Sequence, residues 1–155
     1  MGVPVVFDVT YPEAALIPWQ NNNPTGPAFY EGLNKPIAVV IHIAQGWKAT
    51  SRAWARASEN NRSYHFQVDR LGATDQYMNF ADGGFHAGIR SSNPRPTWKL
   101  WRGHAINVNY YTIGIEHDGF SGEEFPEAQL ISSVGLCAWI LRQIGQPADR
   151  DHVIG

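Results

Sequence analysis

Ile37-Ala38-Val39-Val40-Ile41-His42-Ile43 reads as a buried strand: short, β-branched, preceded by Lys35-Pro36 and followed by the turn-prone Gln45-Gly46. An imidazole near the mouth of such a strand is held rigidly, with one ring nitrogen free to face a cleft. A second run, Tyr111-Thr112-Ile113-Gly114-Ile115-Glu116-His117, carries a carboxylate at the equivalent end. Alternation sends Ile113 and Ile115 to one side and Gly114 and Glu116 to the other. Glu116 therefore leaves the core face beside a neighbour that is only a hydrogen. A histidine and a glutamate on adjacent strand ends suggest a metal with a general base beside it. Adjacency of the two strands is a separate expectation, which periodicity does not supply.

Outward from these runs, residues 1–36 are rich in Pro and Asn and are expected to form an extended lead-in packed on a domain of residues 37–155. A short helix is predicted from Ser51, as N-cap, to about Asn60. Ser63–Asp69 and Ala73–Met78 flank Arg70-Leu71-Gly72 and read as a hairpin. Residues 80–109 read as loop. A long helix is predicted from Pro126 to about Ile144, ended by Gly145 and Pro147. Its expected apolar stripe is Leu130, Val134, Cys137, Leu141 and Ile144, broadened by Ile131, Ala138 and Ile140. Val153-Ile154 begins another strand. Alternating helices and strands predict an α/β fold, a single domain with a mixed central sheet flanked by helices.

The chain has 155 residues and a formal net charge of -2, which gives no electrostatic argument for nucleic acid or a membrane as partner. No apolar stretch approaches membrane-spanning length, and residues 1–10 lack the basic and apolar regions of a signal peptide. The lone Cys137 excludes an internal disulfide and is expected as a small buried hydrophobe. A monomer is expected.

Val40-Ile41-His42, Ser63-Tyr64-His65-Phe66, Phe85-His86-Ala87-Gly88, Ile113-Gly114-Ile115-Glu116 and Glu127-Ala128-Gln129 stand in the order of the zinc-dependent N-acetylmuramoyl-L-alanine amidases. The chain resembles that family, which includes phage lysozyme-type amidases and is similar to the peptidoglycan recognition proteins. The resemblance implies zinc as cofactor, peptidoglycan as partner and hydrolysis of the amide between N-acetylmuramic acid and L-alanine. It implies His42 as a zinc ligand, Glu116 as general base, Tyr64 as helper at the substrate carbonyl or attacking water, and His86 on the groove wall. The family's second ligand is a histidine directly after a stretch resembling Asp151-His152-Val153-Ile154-Gly155, and an Asp or Cys further on is the third. The zinc set is thus expected to be incomplete here, in a domain that looks cut short.

Plainer readings stand beside these. His42 alone is also a core histidine bonded to a carbonyl, Glu116 a solvated strand end, and Tyr64 a core aromatic with a satisfied hydroxyl. His65 is expected to face away from Tyr64, and His104 and His117 to lie at the surface or in loops. Between Gly88 and Asn109, Arg90, Trp98 and Trp101 are candidate substrate contacts: tryptophan for sugar faces, arginine for stem-peptide carboxylates. A phage endolysin, in the host cytoplasm before lysis, fits the missing leader; a secreted protein is the alternative. A non-catalytic peptidoglycan-binding module is the competing function.

Overall fold

A computed structural model of the chain describes residues 7–19, 28–56, 62–88 and 97–155. The strands are β1 (Ala14–Leu16), β2 (Phe29–Tyr30), β3 (Ala38–Ile43), β4 (Phe66–Val68), β5 (Thr74–Gln76), β6 (Gly83–Gly84), β7 (Thr112–His117) and β8 (Val153–Ile154). The helices are α1 (Lys48–Arg56) and α2 (Glu127–Gln143), with a 3-10 turn at Val108–Tyr110. Among the described residues one mixed sheet runs β1-β5-β4-β7-β3-β8, and β2 pairs with β6 in a small ribbon. The α/β expectation holds. So does the adjacency of the two decisive strands: β3 and β7 are parallel neighbours, with His42 opposite Glu116.

Parallel strands need cover on both faces, and the two faces differ. Val39, Phe66, Val68, Ile113 and Ile115 point to the back and pack with Leu136, Cys137, Ile140 and Leu141 of α2. Registered residues of parallel strands share a face, so His42, Glu116, Gly114 and Gln67 point to the front. Part of that front is covered by α1. Lys48 binds Asp69 at 2.6 Å, and Arg52 holds the fully buried Asp75 with two bonds of 2.7 Å. The fork-to-carboxylate geometry compensates the buried charge.

Several expectations are corrected. The first helix begins at Lys48, three residues before Ser51, because Trp47 O accepts from Thr50 N and Ser51 N. Residues 14–19 add a detail rather than a correction: they supply β1, paired in parallel with β5, and Trp19, buried against Tyr64 and Tyr77. Loop 80–109 contains β6 and the 3-10 turn. On α2 the apolar stripe is rotated: Gln129, Ser133, Leu136 and Ile140 are buried, while Leu130, Ile131 and Val134 are exposed. Polar groups pull the helix round. Gln129 Nε2 donates to Val68 O and Asp118 O at 3.0 Å each, and Ser133 meets His117 at 2.8 Å. Carbonyls at strand ends need donors once buried, and a count of apolar side chains does not register that need. His117, expected outside, is fully buried.

Candidate active site

The front of β3 and β7 holds three histidines and a carboxylate, and the hydrogen bonds fix each tautomer. Thr112 Oγ1 donates to Val108 O, so it accepts from His86 Nε2 at 3.3 Å. His86 Nδ1 is then bare and accepts from His42 Nε2 at 3.1 Å. His65 Nδ1 accepts from Gly114 N, and its Nε2 donates to Asp82 O at 2.8 Å. Behind the sheet, His117 Nδ1 donates to His42 O at 3.1 Å and its Nε2 accepts from Ser133. Protonating His86, His65 or His117 would break the bond that its bare nitrogen accepts. Burial pushes His42 and His65 down to about 4, lowers His117, and carries His86 well below its ordinary value. These imidazoles are neutral at pH 7.

His86 reaches His42 because position 114 has no side chain. A Cβ on Gly114 would lie 2.5 Å from His86 Cγ and 2.7 Å from Nδ1, so the imidazole rests directly on the strand backbone. The pairing of Gly114 with Glu116 is thus a packing device as well as an alternation pattern.

Glu116 lines a pocket of about 310 Å3 with Arg62, Tyr64, Phe85, His86 and Gly88. Its Oε2 is buried without a hydrogen-bond partner among the described residues. Desolvation raises its carboxyl to about 7, against a smaller lowering by Arg62. A carboxyl poised near neutrality inside a cleft is suited to taking and returning a proton. Tyr64 is nearly fully buried, edge-on to Trp19 and Tyr77, and its hydroxyl donates to Gln67 Oε1 at 3.1 Å. Gln67 in turn donates to Asp118 Oδ1 at 2.5 Å. Burial raises the Tyr64 phenol, which stays protonated.

A second cleft of about 490 Å3, lined by Tyr30, Phe85, Gly88 and residues 104–109, shares Phe85 and Gly88 with the first. Trp98 and Trp101 line neither cleft. Trp98 stacks on Tyr111 at 5.8 Å and donates its indole N–H to Asp151 O, while Lys99 binds Asp151 at 2.9 Å. That segment latches the turn before β8. Trp101 meets His104 edge-on at 5.4 Å. Arg90 lies outside the described residues. Sequence reasoning missed Gln67, His65 and His117 as parts of the site's support; their signal, a polar residue in a buried strand, has no meaning until its partners are known.

A family model described as N-acetylmuramoyl-L-alanine amidase matches residues 32–155. The chain belongs to the N-acetylmuramoyl-L-alanine amidase family. Among curated relatives, N-acetylmuramoyl-L-alanine amidase A of Achromobacter lyticus is 32% identical over 98 residues, which are 63% of this chain and 46% of that protein. The 1,6-anhydro-N-acetylmuramyl-L-alanine amidase AmpD of Haemophilus influenzae is 29% identical over 93 residues, 60% and 45% of the two chains. The matched part thus spans about half the length of these relatives. The amidase fold is shared with the endolysin amidase LysCS from Clostridium intestinale, with a TM-score of 0.61 and 16% identity over 94% of this chain and 81% of that one. The catalytic domain of XlyA aligns with a TM-score of 0.62 and 17% identity, over 90% and 80%.

Proposed function

We propose that this amidase-family chain supplies the hydrolytic face of a peptidoglycan amidase that cuts between N-acetylmuramic acid and L-alanine. The observation that carries the reading is Glu116: buried, unpartnered at Oε2, held at about 7 and in register with His42. In this reading Glu116 takes the proton of the attacking water and returns it to the departing amine. His86 and Phe85 form the wall against which the substrate amide lies, and the 490 Å3 cleft beyond Gly88 receives an arm of the substrate. Tyr64 closes the pocket floor. To donate to an oxyanion it must first release Gln67 Oε1. We keep Trp101 and Arg90 as outer contacts for sugar and carboxylate, and assign Trp98 to the latch.

Zinc, when bound in such enzymes, polarises the carbonyl and acidifies a water. The donors present do not fit it. A catalytic zinc takes three protein ligands, and no group of three His, Cys, Asp or Glu among the described residues could hold a metal. His42 is the one donor we assign, and in this structure its Nε2 is turned to His86. That misfit is the observation favouring the second reading, a peptidoglycan-binding module without turnover. An endolysin setting rests on fold likeness alone.

The test is to incubate the chain with purified peptidoglycan and zinc, then separate bound from free protein and count new amino termini. Stem peptides released with free L-alanine amino groups support the amidase. Tight binding without new termini favours the binding module. Neither binding nor cleavage overturns both.

A further inference from the structure

Beyond the ends of β3 and β7 the chain carries an exposed aromatic pair. Trp47 is 47% exposed and Phe120 42% exposed, yet the rings meet at 5.5 Å between centroids and 83° between planes. The pair is built on a rigid base. Gly46 N donates to Gly119 O at 3.2 Å and Gly119 N to Gly46 O at 3.1 Å, which extends the β3–β7 junction past its last ladder residues. Gln45 sits at φ 52, a left-handed conformation that non-glycine residues keep only where surroundings enforce it. Its Oε1 accepts from Ser121 N at 3.4 Å, and Glu123 Oε2 accepts from Phe120 N at 3.1 Å. Two loops are thus cross-braced to present two aromatic rings to solvent.

We infer that Trp47 and Phe120 form a stacking step for an N-acetylated sugar ring of the glycan strand. The inference rests on the peptidoglycan reading above and deepens it. Trp47 follows His42 by five residues and Phe120 follows Glu116 by four, so both rings lie within roughly 17 Å of chain from the pocket residues. That is the reach of a few sugar units of a polymer whose reacting bond sits in the pocket. The step follows the last residues of β3 and β7, whereas residues 104–109 of the other cleft precede the start of β7. A substrate with two unlike arms, glycan and peptide, is offered two unlike surfaces. Sugar rings present C–H groups to an aromatic face and hydroxyls at their edge. Here a small apolar patch is bordered by the polar side chains of Gln45, Ser121 and Glu123.

The test uses two soluble probes, a β-1,4-linked N-acetylglucosamine tetrasaccharide and muramyl dipeptide, titrated against the parent and against Trp47→Ala, Trp47→Phe and Phe120→Ala. Circular dichroism melting of each variant reports its folding. The expected result is tetrasaccharide binding weakened on the order of tenfold in both alanine variants, partial retention in Trp47→Phe, and unchanged muramyl dipeptide binding. Parental tetrasaccharide affinity in both alanine variants would overturn the inference. So would a parent that binds muramyl dipeptide but not the tetrasaccharide, and in either case the amidase reading stands. A parent that binds neither probe overturns the inference, and the peptidoglycan cleavage test above decides whether the amidase reading falls with it.

Discussion

Glu116 is a carboxyl whose protonated form the fold prefers, and this has a measurable sign. Its ordinary pKa of 4.5 becomes about 7 in the folded chain. Between those values the native state holds a proton that the unfolded chain has lost, so stability falls as pH rises through the interval. The full effect is on the order of 3 kcal/mol. His42 runs the other way. Depressed from 6.5 to about 4, it makes stability rise with pH across that lower window. Glu116→Gln removes only the first contribution. Urea unfolding at pH 4, 6 and 8 should show the variant gaining on the parent as pH rises, with the gain complete by pH 8. A gap between the two that ignores pH would contradict the burial assigned to Glu116. Tyr64→Phe separates wall from donor. Loss of the bond to Gln67 should cost about 1 kcal/mol, with turnover changed by only a few fold. A loss of about a hundredfold or more would make Tyr64 an oxyanion donor after all.

Among the elements, β7 and the segment carrying His86 are coupled through one missing Cβ. Gly114→Ala should force the His86 ring off the strand and cost about 1–3 kcal/mol as overpacking. Combining it with His86→Ala should return much of that stability, because the methyl then fills the vacated space; thermal melts of the two single variants and the double variant measure the coupling. An additive cycle would show that the ring is not what the methyl meets. This contact also marks the limit of what the chain's pattern revealed. β3, β7, the β4–β5 hairpin and α2 were legible because period-two and helical alternation act locally. His42 and Glu116 were legible as strand-end groups, and motif order paired them. The start of α1 was not, since Lys48 and Arg52 are held by Asp69 and Asp75 from a later hairpin. The buried face of α2 was legible where Cys137, Ile140 and Leu141 lie and not at its start, since Gln129 and Ser133 are recruited by carbonyls and an imidazole far along the chain. The role of Trp98 was hidden for the same reason, its partner Asp151 being 53 positions away.

At the scale of the whole molecule, the donor count predicts weak metal affinity. After dialysis against metal-free buffer, elemental analysis should find well under one zinc per chain, since His42 alone falls short of the three ligands of a catalytic centre. A tight stoichiometric zinc would mean that His42 and His86 recruit a donor the described residues do not show. The sheet also separates the molecule into two sides of different character. Its front carries His42, His65, His86 and Glu116, while the outer surface of α2 bares Leu130, Ile131 and Val134. At a polystyrene or air–water boundary, the bared residues of α2 would turn toward the apolar phase. The adsorbed layer would then keep its pockets turned toward the liquid, oriented by the helix and needing no engineered tether.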